Sequence, residues 1–373
     1  MRALLTLNTG SSSIKFRLFG LGADLPFLLG GKVTDIGGNA VFQVHEEEHS
    51  RDETHILPTG TTHESALSYV LDWLLSHQDG WTLDAAAHRI VHGGERYRAP
   101  VRLDAEAMRY LQSLCPLAPL HQPHNLAAID ALAKLHTNLP QYGCFDTAFH
   151  TGHDALRIAY ALPESARAHG VRRYGFHGLS YAWIAHCLRC DYPALSQARV
   201  VAAHLGNGAS LCAMRDGKSI DTTMGMTALD GLPMGTRCGS IDAGATIYMQ
   251  RKMGLTVDAL EQLLYNESGL KGLSGISNDA RTLSESSDPR ARFALDYFVW
   301  KCTQHIAAMA ATLGGIDALV FTGGIGENNA GIRAQITQGL SFLPIFENLV
   351  VPANEERGMA LEIYETFGKE LTR

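Results

Sequence analysis

Two glycine- and hydroxyl-rich turns stand out in this sequence, because each directly follows a short apolar run. The first is NTGSSSIK at residues 8–15, after the mostly apolar run at residues 4–7, and the second is HLGNGAS at residues 204–210, after residues 200–203. Glycine allows a backbone to approach a ligand closely, and backbone N–H groups with small hydroxyl or amide side chains donate to phosphate oxygens. A plain hairpin turn is the alternative for either copy. The pair predicts one phosphate chain held from both sides.

An arginine in apolar surroundings is the next chemical feature. Arg89 lies in AHRIVHGGE, residues 87–95, between apolar positions and a double glycine. A buried guanidinium requires an anionic partner, which is either a ligand or a carboxylate of the chain. The residues leave two interpretations open: an anion-binding site, or a structural ion pair with Glu95 or Asp84.

Three further side chains are candidates for a functional site. Asp146 follows an apolar run, at the position where α/β sheets present functional groups at their carboxyl edge. His177 lies between glycines in a loop that also carries two arginines, although a lone histidine is more often structural. Arg237 lies in the turn Gly-Thr-Arg-Cys-Gly, which is suited to reach into a cleft.

Two segments of the second half have the character of nucleotide contacts. Residues 279–281 are Asp-Ala-Arg, and residues 323–328, GGIGEN, follow an apolar run and open a predicted helix. Two other patterns are rejected. Residues 217–219 lack the upstream glycine of a P-loop, and Cys187 with Cys190 has no second pair that would complete a zinc site.

Composition limits the class of protein. With 373 residues, 46% hydrophobic and 18% charged, the chain is predicted to be globular with two domains. The net charge of −7 argues against a nucleic-acid partner, and no apolar run approaches the roughly 18 residues of a membrane span. The first residues turn polar at Thr6, too early for a signal peptide. Because the 7 cysteines are scattered like reduced thiols, we expect a cytoplasmic protein.

The two halves show the same order of elements, an apolar run and a hairpin followed by alternating helices and strands. Apolar periodicity predicts helices over residues 63–77, 125–136, 290–313 and 355–367, a buried strand at 318–321 and another that ends before Asp146. Residues 84–91 are predicted to be a helix end or loop that leads to a buried strand. Pro116, Pro119 and Pro123 are predicted to lie in a loop. No flexible linker is apparent, so we expect two packed halves with a cleft between them.

As a set, these residues closely resemble the acetate kinases, a family of the superfamily that also holds sugar kinases, heat-shock chaperones and actin. The matching stretches occur in family order over nearly the whole chain, at residues 7–16, 88–95, 118–121, 145–150, 173–178, 204–208, 234–237 and 321–328. Several of them are highly specific to the family.

The resemblance implies an α/β, duplicated actin-like (ribonuclease H-like) fold of two domains, with the active site in the interdomain cleft. It implies an N-terminal domain over residues 1–148, on which the C-terminal helix of about 357–373 packs back. Residues 149–356 would form the domain for nucleotide binding and dimerisation. It further implies a homodimer that transfers the γ-phosphoryl group of ATP in line to acetate, giving acetyl phosphate and ADP reversibly. Mg²⁺ is the implied metal, with Mn²⁺ as the alternative.

The family pattern also assigns roles to residues. Asp146 matches the catalytic acid/base position, and His177 and Arg237 match the groups that stabilise the transition state. Arg89 matches the acetate ligand, Asn8 and Glu355 the metal site, and the apolar wall of the substrate pocket comprises Val91, Leu120 and Phe176. The implied nucleotide contacts are Ser11, Ser13, Lys15, His204, Leu205, Gly206, Asn207, Gly208, Asp279, Ala280, Arg281, Gly324, Ile325, Gly326, Glu327 and Asn328.

Physical chemistry agrees with most of these roles. Transfer between two anions needs charge neutralisation and in-line positioning more than covalent chemistry, so arginines, a histidine and a metal ion are the expected apparatus. A carboxylate substrate, however, is already deprotonated at neutral pH and has no proton for Asp146 to remove. Our hypothesis is that Asp146 orients Arg89 or the waters of the metal instead.

The chain departs from the family pattern at three places. Ala228 stands where most acetate kinases carry a proline in the wall of the substrate pocket, and a larger pocket would admit propionate. Cys-Gly-Ser at residues 238–240 replaces Ser-Gly-Asp, which removes a carboxylate near Arg237. The segment around Glu355 matches the family ending only in part.

Three other functions compete with that of an acetate kinase. A propionate or other short-chain acyl kinase on the same fold is the main alternative. A nucleotide-binding switch like the superfamily's chaperones would not need Arg89 or Arg237, and no peptide-binding domain follows the two halves. An inactive binding module is disfavoured because every expected polar group is present.

Overall fold

The computed structural model describes residues 1–10, 12–22, 24–46, 51–78 and 80–371. The chain divides into two compact units. Unit 1 comprises Met1–Ala148 with Asn354–Arg373, and unit 2 comprises Phe149–Ala353. None of the helices in the described ranges combines the length and the hydropathy of a membrane span.

The strands in chain order are β1 (Arg2–Thr9), β2 (Ile14–Gly20), β3 (Phe27–Thr34), β4 (Val41–Glu46), β5 (Arg51–Ile56), β6 (Thr82–Ile90), β7 (Val101–Arg102), β8 (Gln141–Phe145), β9 (Arg199–Leu205), β10 (Ala209–Arg215), β11 (Lys218–Thr222), β12 (Ala318–Thr322) and β13 (Glu347–Val350). The helices are α1 (His63–Ser76), α2 (Ala105–Ser113), α3 (Gln122–Leu135), α4 (Ala155–Ile158), α5 (Glu164–Arg167), α6 (Gly178–Asp191), α7 (Ala243–Met253), α8 (Val257–Asn266), α9 (Gly269–Ser274), α10 (Ala280–Glu285), α11 (Pro289–Leu313), α12 (Gly323–Asn328), α13 (Ala330–Gly339) and α14 (Glu355–Leu371).

Unit 1 is built on one sheet with the strand order β5-β4-β3-β2-β1-β6-β8-β7. β1 pairs antiparallel with β2 and parallel with β6, and β6 pairs parallel with β8. Successive side chains of a strand point to opposite faces. Ala3, Leu5 and Leu7 accordingly lie in one buried cluster with apolar residues of α1, while α14 also packs against β1. Helices therefore position β1, β6 and β8 tightly.

Unit 2 repeats this plan with the order β11-β10-β9-β12-β13. β9 pairs antiparallel with β10 and parallel with β12, as β1 does with β2 and β6. The turn from β10 to β11 is Asp216–Gly217, with φ of +53° and +66°, as a two-residue type I′ hairpin requires. The shared order confirms the duplicated α/β fold that the resemblance implies.

The long helix α11 agrees with the predicted span. Asp288 caps its N-terminus by accepting a hydrogen bond from the N–H of Arg290, Pro289 occupies the first turn, and Gly314 ends it with φ +72°. Its buried side chains recur at helical spacing and pack against β9, β10 and β11.

Two predictions of secondary structure are wrong. Residues 84–91, predicted as a helix end or loop, lie almost wholly in strand β6, because this alanine-rich run is buried between β1 and β8. Tertiary pairing there overrides the helical propensity of alanine. Pro123, predicted in a loop, lies in the first turn of α3, where a missing N–H is tolerated.

The C-terminal helix carries a carboxyl group with an unusual pKa. Glu362 of α14 has its pKa raised to about 7, mainly by burial and further by the charge of Glu365. A raised native-state pKa means that the native state binds the proton more tightly than the unfolded chain. This contribution to stability is fully present below the ordinary pKa of 4.5 and is lost as the pH rises through about 7.

We therefore predict that Glu362→Gln flattens the dependence of the unfolding free energy on pH between 5 and 8. The variant should gain stability relative to the unaltered chain as the pH rises, and urea titrations at several pH values measure this. Glu365→Gln is the control and should keep most of the pH dependence, because burial is the larger cause. Parallel pH profiles for Glu362→Gln and the unaltered chain would rule the idea out.

Candidate active site

The polar side chains of unit 1 gather where three parallel strands end. Asn8 lies near the end of β1, Arg89 near the end of β6, and Asp146 directly after β8. Glu355 is the first residue of α14. Because parallel strands end at one edge of a sheet, residues far apart in sequence become neighbours.

Arg89 and Asp146 form a bidentate ion pair. Nε of Arg89 donates to Oδ1 of Asp146 at 3.0 Å, and Nη2 donates to Oδ2 at 2.8 Å. Burial raises the pKa of Asp146, although Arg89 opposes the rise. Burial also acts to lower the pKa of Arg89, but the carboxylates of Asp146 and Glu355 outweigh it, and the guanidinium stays charged. Two parallel hydrogen bonds fix the plane of the guanidinium.

The remaining guanidinium nitrogen of Arg89 meets the two residues that the resemblance assigns to a metal. Nη1 lies 3.3 Å from Oδ1 of Asn8 and 3.3 Å from Oε2 of Glu355. Both are oxygen donors of the kind that Mg²⁺ prefers. Within the described residues, no group of three or more His, Cys, Asp or Glu side chains is placed to hold a metal ion. An amide oxygen and a carboxylate oxygen could supply two ligands of a magnesium ion, and such an ion would take the others from water and phosphate.

Helix α3 positions these strand ends, a role that the sequence analysis missed. Oδ1 of the buried Asn125 accepts from the N–H of Val91 at 3.1 Å, and its Nδ2 donates to the carbonyl of Thr9 at 2.9 Å. Gln122, one turn earlier, bonds both the N–H and the carbonyl of His92. The available signal was two polar residues three apart on the apolar face of a helix.

The first glycine- and hydroxyl-rich turn joins β1 to β2. The N–H of Gly10 donates to the carbonyl of Ser13 at 2.8 Å. Nε2 of His63 lies 2.9 Å from the carbonyl oxygen of Gly10. Lys15 is exposed and pairs with Asn8 across the strands, which places both on one face. Ser11 lies outside the described residues.

In unit 2, two histidines stack beside the second glycine-rich turn. The rings of His177 and His204 are 4.4 Å apart at 24°. Nδ1 of His177 lies 2.8 Å from Oγ of Ser210, and Nδ1 of His204 lies 2.9 Å from Oγ of Ser180. These contacts leave Nε2 of His177 directed toward Gly208, where an added Cβ would lie 3.2 Å from it.

Arg237 reaches the same turn. A Cβ on Gly208 would lie 4.0 Å from Nη1 of Arg237, which also donates to the carbonyl of Ala228 at 3.1 Å. The guanidinium lies 6.0 Å from the centre of the Tyr265 ring. The structure thus brings His177 and Arg237 to one glycine.

Two glycines show how closely the surrounding backbone packs. The N–H of Gly235 donates to the carbonyl of Asn207, and a Cβ on Gly235 would lie 2.1 Å from Oδ1 of Asn207. A Cβ on Gly206 would lie 3.7 Å from the N of Gly324, while Gly324 itself faces open space. The turn after β9 and the segment after β12 are therefore neighbours, with room beside Gly324.

The side chains of Glu327 and Asn328, two of the predicted nucleotide contacts, form hydrogen bonds with the chain's own backbone. Oε1 of Glu327 accepts from the N–H groups of Gly323 and Ala353, and Nδ2 of Asn328 donates to the carbonyl of Gly324. The other members of this segment, Ile325 and Gly326, belong to α12. These side chains shape the backbone that follows β12.

The segment at residues 279–281 adjoins the glycine-rich turn through the preceding residue, because Nδ2 of Asn278 donates to Oδ1 of Asn207 at 3.1 Å. Asp279 caps α10, Ala280 is buried, and Arg281 is exposed and pairs with Glu285.

The predicted apolar wall divides between the units. Val91, two residues after Arg89, is buried, and Leu120 is 37% exposed in the loop before α3. Phe176 is buried in unit 2, directly before His177. Leu205 is buried at the end of β9.

Comparisons with known proteins agree with the resemblance. A sequence model described as "Acetokinase family" matches residues 3–359. The chain is 46% identical to an acetate kinase of Rhodopseudomonas palustris over 92% of this chain and 87% of that protein. It is 44% identical to an acetate kinase of Rhizobium meliloti, over 97% of this chain and 91% of that protein.

Solved structures agree as well. A propionate kinase of Francisella tularensis superposes with a TM-score of 0.90 at 33% identity, covering 97% of this chain and 99% of that one. An acetate kinase of Porphyromonas gingivalis gives 0.87 at 31% identity, with both chains fully covered.

Proposed function

This chain belongs to the acetokinase family, and we propose from that premise that it transfers the γ-phosphoryl group of ATP to acetate, reversibly giving acetyl phosphate and ADP. The observation that carries the proposal is the guanidinium of Arg89, held in one plane by Asp146 at the edge of the unit 1 sheet. The reaction forms a bond from an acetate oxygen to the γ-phosphorus and breaks the bond from that phosphorus to the β–γ bridging oxygen.

In this proposal, Arg89 holds the acetate carboxylate and Asp146 is an orienting group rather than a base. Acetate brings no proton at neutral pH, so a base has nothing to remove. A buried carboxylate with two hydrogen bonds to one guanidinium fixes how that guanidinium faces its ligand. Val91 and Leu120 would pack against the methyl group of acetate, and the family resemblance adds Phe176 to the same apolar wall.

Unit 2 would supply the nucleotide site and the groups for the transition state. The glycine-rich turn at residues 204–208 and the segment at 324–328 have close backbones and open space beside Gly324. His177 and Arg237, both directed toward Gly208, would stabilise the charge on the transferring phosphoryl group.

Asn8 and Glu355 would hold Mg²⁺, with Mn²⁺ as the alternative. When bound, such an ion neutralises phosphate charge during transfer. Two facts support this assignment. An amide oxygen and a carboxylate oxygen are ligand types that Mg²⁺ prefers. These two oxygens also lie near each other, since both contact Nη1 of Arg89. Lys15, across the strands from Asn8, would face the phosphates with Ser11 and Ser13.

We further propose that the enzyme is cytoplasmic and a homodimer. All seven cysteines are free thiols, as a reducing compartment predicts.

Helix α7 supports the dimer, because it buries none of its residues within the chain, and its Ile247, Tyr248 and Met253 are 47–62% exposed. Light scattering should give a mass near twice 40.5 kDa, and Tyr248→Asp should shift it toward one chain. A monomeric mass for the unaltered chain at micromolar concentration would contradict the dimer.

We predict that Asp146→Asn lowers kcat/KM for acetate by about 100-fold, because Arg89 loses its bidentate partner and its fixed plane. Trapping of acyl phosphate with hydroxylamine measures the rate. Asp317→Asn is the matched control, since Asp317 forms a similar ion pair with Arg199 at the start of β9. That variant should keep the rate. Full activity of Asp146→Asn above pH 6 would contradict both an orienting and a basic role.

The alternative substrate is propionate, which the likeness to a propionate kinase favours. The carbonyl of Ala228 accepts a hydrogen bond from Nη1 of Arg237 at 3.1 Å, so the residue lies beside that guanidinium. In this proposal its small side chain would leave room in the pocket wall for a longer acid. We predict that acetate and propionate are both used, and that Ala228→Pro lowers the propionate-to-acetate ratio of kcat/KM by about 10-fold or more. The assay across acetate, propionate and butyrate measures this. An unchanged ratio would show that Ala228 does not set specificity.

A further inference from the structure

A buried polar cluster of unit 2 lies against the loop that carries His177, and none of its members has a role in the proposed reaction. It comprises His150, His153, Cys212 and Ser219. Oγ of Ser219 lies 2.8 Å from Nδ1 of His150, 2.7 Å from Nε2 of His153 and 3.3 Å from Sγ of Cys212. One hydroxyl thus connects three side chains.

The ring of His150 supports the loop at two consecutive residues. Nε2 of His150 lies 3.0 Å from the carbonyl oxygen of Phe176. A Cβ on Gly175 would lie 2.7 Å from Cδ2 of His150, so only glycine fits against the ring. Gly175 also has φ +80°, a left-handed conformation that favours glycine.

His177, which follows Phe176, has a left-handed backbone with φ +58°. A residue other than glycine is strained in this conformation, so the surroundings must hold it there. The peptide between Phe176 and His177 includes the carbonyl that His150 contacts. Holding this carbonyl fixes the backbone from which the His177 imidazole extends toward Gly208.

The directions of the hydrogen bonds follow from the groups involved. A carbonyl only accepts, so Nε2 of His150 must carry the proton. Burial lowers the pKa of His150 to about 3 and that of His153 to about 4, so both rings are neutral at physiological pH. A neutral ring that is protonated at Nε2 can only accept at Nδ1. Ser219 therefore donates to His150, and its oxygen accepts from Nε2 of His153.

We propose that His150, which Ser219 holds as the Nε2–H tautomer, is a positioning residue that fixes the direction of the His177 imidazole. The inference rests on the proposed function of His177 in phosphoryl transfer. His150 touches neither substrate, and it acts only through the backbone of residues 175–177. Removing its donor leaves the carbonyl of Phe176 without this bond, and the His177 ring then departs from its productive position.

Nitrogen-15 NMR of the full-length protein with labelled histidine tests the hydrogen-bond part without any assay of activity. We expect the His150 signals to show a protonated Nε2 and an unprotonated Nδ1, unchanged from pH 5.5 to 8. Assignment uses His150→Gln, which removes these signals. An Nδ1–H tautomer, or titration near pH 6.5, would overturn the inference whether or not the chain phosphorylates acetate.

Kinetics of two variants test the positioning. His150→Leu should lower kcat by about 10-fold to 100-fold, with KM for ATP and for acetate within about 2-fold, because misplacement weakens only transition-state contacts. His150→Gln keeps an N–H donor and should recover most of the loss. His169→Leu makes the same change at an exposed histidine and should leave kcat unaltered.

A loss of folded protein would also lower kcat, so both His150 variants are compared by thermal melting and by the nitrogen-15 signals of His177. Equal melting temperatures with a displaced His177 signal in the leucine variant alone support the inference. Equal kcat values for folded glutamine and leucine variants overturn it. Should the unaltered chain fail to phosphorylate any carboxylate, the proposed function fails, while the tautomer measurement still decides the hydrogen-bond scheme.

Discussion

The unit 1 site depends on one constraint: a guanidinium that is largely removed from water must have anionic partners with good geometry. Arg89 meets it with Asp146 and Glu355, which come from the end of β8 and the start of α14. The pairing is set by strand register, because Arg89 lies opposite Cys144 and Asp146 follows two residues later. A slip of one residue would turn every side chain of the strand to the other face.

The ion pair keeps its geometry only if the strand ends that carry it are fixed, and the buried side-chain amide of Asn125 fixes two of them. The pairing of β1 with β6 ends at Leu7 and His88, just before the functional residues. Beyond that point, hydrogen bonds from the Asn125 side chain connect the two strand ends instead: its Nδ2 donates to the carbonyl of Thr9, and its Oδ1 accepts from the N–H of Val91. An amide that satisfies both a donor and an acceptor keeps the two strand ends at a fixed separation. The precision of the site therefore comes from a helix as well as from the sheet.

The sequence predicts the elements whose causes are local. Apolar periodicity predicts α11, and the structure places a capping aspartate and a terminal glycine at its two ends. The Asp216–Gly217 turn has an equally local cause, because both residues tolerate positive φ. β6 was mispredicted because its alanines favour a helix until neighbouring strands bury them. The roles of Asn125 and His150 were missed because their partners lie far away in sequence: the polar residues on the apolar face of α3 indicate a buried hydrogen bond, but not which distant carbonyl accepts it.

Charge balance shows what the proposed reaction demands of the unit 1 site. Arg89 together with Asp146 and Glu355 carries a net formal charge of −1. An acetate ion adds a further negative charge, so the guanidinium alone cannot hold it favourably. Glu355 and Asn8 lie at Nη1, the nitrogen of Arg89 that Asp146 does not contact, and a substrate carboxylate bound by both terminal nitrogens of the guanidinium would also use Nη1. In the proposed function, a cation that draws Glu355 away would therefore serve acetate binding as well as the phosphates.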